Sequence, residues 1–258
     1  MFFHIAKDVY LAYFNDEIVV LDLPKDRYIL LKKEMAEFLN QILTLEFQKI
    51  NSSYMPIDLA IILPKDFDAK LSELRSMSII STDDFNTQDS TDIRKNSTQA
   101  GPENLDWRMY FGDLNIEIPK RYVLQAYILR IKVDLILKIR GFKGLIDFIK
   151  KSRNPKKSYK KTNPEEYNSL ASIVNRACFY YFYRTKCLEW AATLTLLALK
   201  KGLQCNLVIG VQNMPFRAHA WGQVDNLVVA DDKNLPKDLS VILSEPFSSN
   251  YSQKSTNF

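Results

Sequence analysis

A long polar segment divides this chain and limits what it can fold into. Between Ser81 and Asn104 the sequence STDDFNTQDSTDIRKNSTQAGPEN is rich in serine, threonine, aspartate and asparagine and has few apolar side chains. Such a segment buries too little apolar surface to offset the entropy lost on ordering. We therefore predict two domains, residues 1–80 and 107–243, joined by a flexible linker over 81–106 and followed by a disordered tail over 244–258.

The pattern of the first domain predicts three strands followed by three helices. The β-prone runs VYLAYF, IVVLDL and RYILL occupy residues 9–14, 18–23 and 27–31, and turn residues separate them. Apolar residues at helical spacing follow over 32–43, and shorter helices are predicted at 56–63 and 66–77. This order is typical of a small winged-helix-like domain, and the fold class predicted for the whole chain is α+β.

Composition excludes several classes of protein. The 258 residues are 47% hydrophobic and 25% charged, with a net charge of +5, which is ordinary for a globular protein. The most apolar stretch, residues 122–139, is interrupted by Arg130, Lys132, Asp134 and Lys138, so we expect no transmembrane helix. No signal peptide, nucleotide-binding motif or metal-ligand spacing is visible, and we expect no cofactor.

The cysteines and the basic residues also carry expectations. Three cysteines, Cys178, Cys187 and Cys205, suggest no disulfide framework and favour a reducing, cytoplasmic setting. Helices are predicted over 122–140 and 165–183. The seven basic residues between Lys150 and Lys161 are expected to form a solvated loop, with a docking patch for an acidic partner or a phosphate-bearing ligand as the alternative.

Chemistry is concentrated after residue 184. The sequence RTKCLEWAATLTLLALKKG has apolar residues at helical spacing and a natural stop at Gly202, which places Cys187 in the first turn of a buried helix. The helix dipole and free backbone N–H groups there favour a thiolate, and the same N–H groups can hold a developing oxyanion. We interpret Cys187 as a candidate nucleophile.

A scarce histidine lies downstream, on a predicted hairpin. The chain has two histidines, and His219 lies within FRAHAWGQVDNLVVADD, residues 216–232. A three-residue loop centred on Asp225 places Asp231 opposite His219, whereas a two-residue loop places Asp232 there. Cysteine, histidine and aspartate in this order predict a hydrolase or acyl transferase, with either aspartate as the partner of the histidine.

These residues resemble the B proteins of lasso-peptide biosynthesis. The resemblance rests on Cys187-Leu188, the strand NLVIGV, Pro215-Phe216, His219-x-Trp221, the paired aspartates and the closing KDLSVI, and it extends over about residues 107–243. Those proteins are leader peptidases with a transglutaminase-like, papain-related fold. The resemblance implies a triad of Cys187, His219 and Asp231, the aspartate following from its twelve-residue offset. Gln212 and Gln223 are candidate second oxyanion donors by residue type alone.

The first domain resembles the leader-recognition domain fused to such peptidases. In that family the leader adds as a strand to the small sheet and packs on the third helix. The resemblance implies leader contacts with the following residues: Tyr28, Ile29, Leu30, Leu31, Leu71, Leu74 and Arg75. Their alternative role is to fill the core of the domain.

The resemblance also implies partners. These are the precursor peptide and an ATP-dependent, asparagine-synthetase-like lasso cyclase that closes the macrolactam ring. Three other functions stay open: an acyl transferase with the same triad, a non-enzymatic peptide-binding module, and nucleic-acid binding. The last is disfavoured because the third helix, DAKLSELRSM, mixes acidic and basic residues.

Overall fold

A computed structural model describes residues 2–50, 53–58, 63–82 and 119–247. The chain divides into two compact units, Met1–Gly101 and Pro102–Phe258. The predicted linker, apart from Ser81 and Thr82, and the predicted tail beyond residue 247 lie outside the described residues.

The described residues of the first unit form a three-stranded sheet, two α-helices and two small strand pairs. Its elements are β1 (His4–Ile5), β2 (Val9–Phe14), β3 (Glu17–Asp22), β4 (Arg27–Leu31), α1 (Lys33–Thr44), β5 (Phe47–Ile50), β6 (Ser53–Pro56), α2 (Phe67–Ser76) and β7 (Ile80–Ser81). The sheet has the antiparallel order β2-β3-β4, and β1 pairs with β7 and β5 with β6. The predicted strands over 9–14 and 27–31 are confirmed, and the helix predicted over 32–43 is found as α1.

Two expectations for this unit were wrong. A helix was predicted from Pro56, but Pro56 ends strand β6, because Phe47 and Tyr54 pack inward around Phe3 in an aromatic cluster. Residues 59–62 of that predicted helix lie outside the described residues. The linker was expected from Ser81, yet Ser81 still pairs with His4. The winged-helix comparison stays a prediction, since the described residues of this unit hold two helices.

The second unit packs helices against a four-stranded antiparallel sheet. Its elements are α3 (Lys120–Ser152), α4 (Pro164–Phe179), α5 (Cys187–Lys201), β8 (Asn206–Gln212), β9 (Arg217–Val224), β10 (Leu227–Val229), α6 (Leu235–Asp238) and β11 (Ser240–Glu245). The strand order is β10-β9-β8-β11, so the two longest strands lie at the centre. The predicted α+β class is confirmed.

Two glycines let the layers of this unit approach closely. A Cβ at Gly222 would lie 2.6 Å from the Leu194 side chain, so the missing side chain admits α5 onto one sheet face. A Cβ at Gly210 would lie 2.7 Å from the Trp221 ring, so this indole covers Gly210 on the other face. On that face the following residues form a buried apolar cluster: Val208, Trp221, Val228, Leu235, Leu239 and Val241.

Two boundaries in this unit were predicted too early in the chain. A helix was expected to end at Arg140, but after a bend at Gly141, whose φ is +64°, it continues to Ser152 because Phe142, Leu145 and Ile149 recur at helical spacing and are buried. The domain was expected to end at residue 243. Strand β11 instead runs to Glu245, and Phe247 is buried, its ring beneath the Arg153 guanidinium.

The basic segment between Lys150 and Lys161 lies on the surface and is partly paired. Lys150 contacts Glu245 at 2.9 Å, Lys161 contacts Asp225 at 2.7 Å, and Arg153 donates to the Pro246 carbonyl at 3.0 Å. This segment thus ties the C-terminal strand and the hairpin turn to the helical layer. The expectation of an exposed loop holds from Arg153 to Ser158.

Candidate active site

The first turn of α5 presents Cys187. The backbone N–H of Lys186 donates to the Glu189 carboxylate at 2.8 Å, which fixes the entry into the helix. The helix ends at Gly202, which has a left-handed φ of +79°. Cys187 is half-buried, whereas Cys178 and Cys205 are buried. Of the three thiols, Cys187 is therefore the one that a substrate can approach.

His219 comes from the central strand β9. Its side chain is 5% exposed, and its ring lies beside Trp221 with the ring centroids 6.1 Å apart. The partner residue on β8 is Gly210, which leaves room for the imidazole and the indole above it. The imidazole is thus confined between packed elements.

Asp231 meets His219, as the twelve-residue offset implied. Asp231 Oδ2 lies 2.8 Å from His219 Nε2. The other carboxylate oxygen, Oδ1, accepts the backbone N–H of Asp232 at 2.9 Å. The Asp232 carboxylate instead accepts the backbone N–H of Asn234 at 2.9 Å. The two neighbouring aspartates thus have different partners, and only Asp231 contacts the imidazole.

The backbone at Ala230 decides between these aspartates. The hairpin has the two-residue loop, since Leu227 pairs with Val224 and Val229 with Gly222, and that register would continue to Asp232 opposite His219. The strand stops at Val229 because Ala230 has a left-handed φ of +51°. Because the backbone leaves the extended conformation at Ala230, the Asp231 carboxylate reaches Nε2 of His219.

The early end of β10 also exposes a backbone donor to Cys187. Backbone N–H groups along β9 point alternately to its two neighbours, so Ala220, like Gly222, points to the side of β10. With no β10 residue paired there, the N–H of Ala220 donates to the Cys187 sulfur, as does the N–H of Leu188. The imidazole of His219 is the third hydrogen-bond partner of this sulfur.

This environment favours a thiolate paired with an imidazolium. Burial raises the pKa of the Cys187 thiol, but the hydrogen bond and charge of His219 and the two backbone donors outweigh it, and the pKa falls below its usual value. Burial also lowers the pKa of His219, yet the hydrogen bonds and charges of Asp231 and Cys187 raise it to about 9. The same contacts thus stabilise the charged form of both groups.

The other cysteines behave differently. Burial raises the pKa of Cys178, and it raises the pKa of Cys205 to about 12. Both thiols are therefore protonated and shielded at neutral pH. They provide internal controls for the reactivity of Cys187.

The two glutamine candidates differ in how they are engaged. Gln223 accepts the Trp221 indole N–H at 2.7 Å and donates to the Asp225 carbonyl at 2.6 Å, so both ends of its amide are occupied. Gln212 is 1% exposed and donates weakly to the Met214 carbonyl at 3.4 Å, and its Oε1 has no hydrogen-bond partner in the described part of the chain. Gln212 is the less constrained of the two.

The residues predicted to bind a leader lie partly on the surface and partly in the core. Leu31, Leu71 and Leu74 are buried in the first unit, so they fill its core and were wrongly assigned to the leader-binding surface. Tyr28 and Ile29 are half-buried and Leu30 is 42% exposed. They lie on β4, which has β3 as its one neighbour among the strands that the structure describes. Arg75 is exposed and donates to the Tyr54 hydroxyl at 2.7 Å.

Sequence reasoning missed the groups that position Cys187. Buried Arg130 of α3 donates to Thr185, two residues before Cys187, and a charged residue within an apolar helical run was the available signal. The left-handed Ala230 had no signal in the sequence. Within the described ranges no cluster of three or more potential metal ligands occurs, and no helix there is long and apolar enough to cross a membrane.

Comparison with known proteins places these residues in a family context. Residues 129–244, which include Cys187, His219 and Asp231, match the transglutaminase-like superfamily. The chain is 24% identical over 195 residues to the microcin J25-processing protein McjB of Escherichia coli, and the match covers 75% of this chain and 90% of that protein. No solved structure matches the chain. The resemblance to the B proteins of lasso-peptide biosynthesis is thus confirmed.

Proposed function

We propose that this chain, with its transglutaminase-like segment over residues 129–244, is a cysteine peptidase that binds and removes the leader of a ribosomally made lasso-peptide precursor. The observation that carries the proposal is the chain of contacts from Cys187 through His219 to Asp231. The likeness to a microcin-processing protein supports the substrate class. Thiolate, imidazolium and carboxylate in line are what nucleophilic cleavage of an amide requires.

In the proposed first half-reaction, the Cys187 thiolate attacks the carbonyl carbon at the junction of leader and core. The carbonyl oxygen becomes an oxyanion, and backbone N–H groups in the first turn of α5 are suited to hold it. The imidazolium of His219 then protonates the core nitrogen as the C–N bond breaks. The core leaves with a free amino terminus, and the leader stays bound to Cys187 as a thioester.

In the second half-reaction, neutral His219 takes a proton from water, and the resulting hydroxide attacks the thioester. The leader leaves with a new carboxylate, and the Cys187 thiolate and His219 imidazolium are restored. Asp231 accepts the hydrogen bond of Nε2 throughout, so it stabilises the imidazolium and holds Nδ1 toward the sulfur. The proton is thus returned to His219 after each turnover.

The first unit would capture the leader along the open edge of β4. Among the described residues β4 pairs with β3 alone, so its other edge is available for an added strand. Half-exposed Leu30 would contact the leader there. Connecting capture and cleavage in one chain raises the effective concentration of the scissile bond. The product would pass to an ATP-dependent lasso cyclase, and the free thiol suits a reducing, cytoplasmic setting.

An acyl transferase is the second candidate, because the superfamily is named for transglutaminases. Both reactions share the thioester, and they differ only in whether water or an amine attacks it. Incubation of the cognate precursor peptide in 18O-water with 10 mM of a primary amine separates them by mass spectrometry. We expect one 18O atom in the released leader and no amine adduct. A leader carrying the amine would instead establish acyl transfer.

The same incubation tests whether the chain is an enzyme at all. A peptide-binding module predicts no cleavage by the wild type, or equal cleavage by Cys187→Ala. Cys178→Ala is the matched control, because that thiol is buried and protonated. The peptidase proposal requires that Cys178→Ala cleaves while Cys187→Ala does not.

A further inference from the structure

The loop that leads into Cys187 exposes an unusual number of aromatic rings. We define the aromatic loop as Phe179–Lys186, which comprises the last residue of α4 and the segment that connects α4 to α5. Four of its rings are largely exposed: Phe179 66%, Tyr180 62%, Phe182 87% and Tyr183 64%. Large aromatic rings grouped on a surface are costly in water and mark a site where another molecule binds.

The aromatic loop is held in place by a buried cation. Arg130 of α3 is 1% exposed, its guanidinium lies 4.2 Å from the Tyr181 ring centroid, and its Nε donates to the Thr185 hydroxyl at 3.3 Å. The Asp134 carboxylate lies 3.7 Å from Arg130 Nη1. Two residues of the loop are therefore fixed from beneath, and the exposed rings are presented by an anchored segment.

The aromatic loop lies within reach of a peptide bound at Cys187. Tyr183 is four residues and Phe182 five residues before Cys187. Since a chain extends by at most about 3.6 Å per residue, the Cα of Phe182 lies within about 18 Å of that of Cys187. A substrate residue within about five positions of the scissile bond spans the same distance.

The exposed charged residues of the loop are cationic: Arg184 and Lys186. The ammonium of Lys138 also lies 5.0 Å from the Tyr183 ring centroid, and it pairs with the Asp134 carboxylate at 2.9 Å. Such a rim repels lysine and arginine and admits neutral or acidic side chains.

We propose that the aromatic loop is the substrate-binding wall beside Cys187, and that it takes a large apolar side chain of the precursor within about five residues of the scissile bond, in a segment without basic residues. This assignment rests on the proposed peptidase function and names the substrate chemistry of that site. The rings supply apolar contact, and Arg130 acts as a positioning residue through Tyr181 and Thr185.

Affinity labelling of the full chain tests this without knowledge of the precursor. The probes are acetyl-Phe-Leu-Ser-Gly-chloromethylketone and chloroacetyl-Ser-Phe-Leu-Ser-amide, which extend from Cys187 in opposite directions. Each probe is compared with a counterpart that has serine in place of both Phe and Leu. The Cys187 thiolate attacks the CH2–Cl carbon, a C–S bond forms, and chloride leaves. Peptide mass spectrometry gives the rate at each cysteine.

For the wild type we expect at least one apolar probe to label Cys187 about tenfold faster than its serine counterpart, the effect of one well-packed aromatic contact. Replacing Leu by Lys in that probe should remove most of the preference. Phe182→Ser should reduce the ratio to about two or less. Leu124→Ser, an exposed apolar residue about 21 Å along α3 from Lys138, should keep the wild-type ratio.

Four results would overturn the assignment. If Cys187 reacts fast but shows no preference with either probe, or if Phe182→Ser keeps the preference, the aromatic loop does not bind substrate and the peptidase proposal is unaffected. If Leu124→Ser loses the preference equally, the effect is not local to the loop. If Cys187 reacts no faster than Cys178 and Cys205, the peptidase proposal itself fails.

Discussion

The contact between Asp231 and His219 makes a quantitative prediction for Asp231→Asn. Burial alone would lower the pKa of His219 below its ordinary 6.5, yet Asp231 and Cys187 raise it to about 9. The rise from 6.5 to about 9, at about 1.4 kcal/mol per pH unit, corresponds to roughly 3 kcal/mol in favour of the imidazolium. Asp231 provides the first of the opposing hydrogen bonds and a full negative charge, so a large share of that free energy is lost with it.

The loss is expected to appear in the ionisation of Cys187. The imidazolium of His219 stabilises the thiolate. When the imidazolium is less stable, the pKa of the Cys187 thiol therefore rises toward its ordinary 9.0. We expect the midpoint of the iodoacetamide alkylation rate of Cys187 against pH to rise by about one pH unit in Asp231→Asn. The rate is measured for each cysteine by peptide mass spectrometry.

Asp232→Asn is the matched control, because its carboxylate contacts Asn234 and not the imidazole. It changes the same charge one residue away and should leave the midpoint within about 0.3 pH units of the wild type. An unchanged midpoint in Asp231→Asn, or an equal rise in Asp232→Asn, would refute the assignment of Asp231.

Three further substitutions test the packing around the site. Ala230→Val should lower the free energy of unfolding in urea by about 1–2 kcal/mol and raise the alkylation midpoint of Cys187, because a β-branched residue resists a φ of +51°. Ala230→Gly should do neither. Gly210→Ala should lower the free energy of unfolding by about 1–3 kcal/mol, because its Cβ would meet Trp221 at 2.7 Å; wild-type stability would contradict that packing. Arg130→Met should slow the alkylation of Cys187 at neutral pH and lower the free energy of unfolding, measured by thermal unfolding, by roughly 2 kcal/mol. Unchanged alkylation would exclude a positioning role for Arg130.

Elements with strong local signals were predictable from the sequence. Strand β2 is a β-prone run between turn residues, and α5 has apolar residues at helical spacing up to Gly202. Both were therefore placed within a residue or two. The position of Cys187 at the start of α5 followed directly. The hairpin that carries His219 was also visible, since Asp225-Asn226 is a turn signal between two β-prone runs.

The features that the sequence did not predict depend on tertiary contacts. The β5–β6 hairpin was not predicted, and its last residue, Pro56, was placed at the start of a helix. Packing of Phe47 on Phe3 favours the hairpin. The choice between Asp231 and Asp232 depends on one left-handed alanine, which no local propensity indicates. The buried role of Arg130 depends on Tyr181 and Thr185, more than fifty residues later in the chain. Local pattern cannot contain such information.

The central claim is that Cys187 forms a covalent bond to the leader, and a rapid acid quench of enzyme with cognate precursor tests it most directly. Intact and peptide mass spectrometry of samples quenched within milliseconds to seconds follow the enzyme and both products. We predict an early adduct on the peptide containing Cys187, with the mass of the leader minus one water, together with released core and no adduct in Cys187→Ala. Cleavage that proceeds at the wild-type rate in Cys187→Ala would contradict the account.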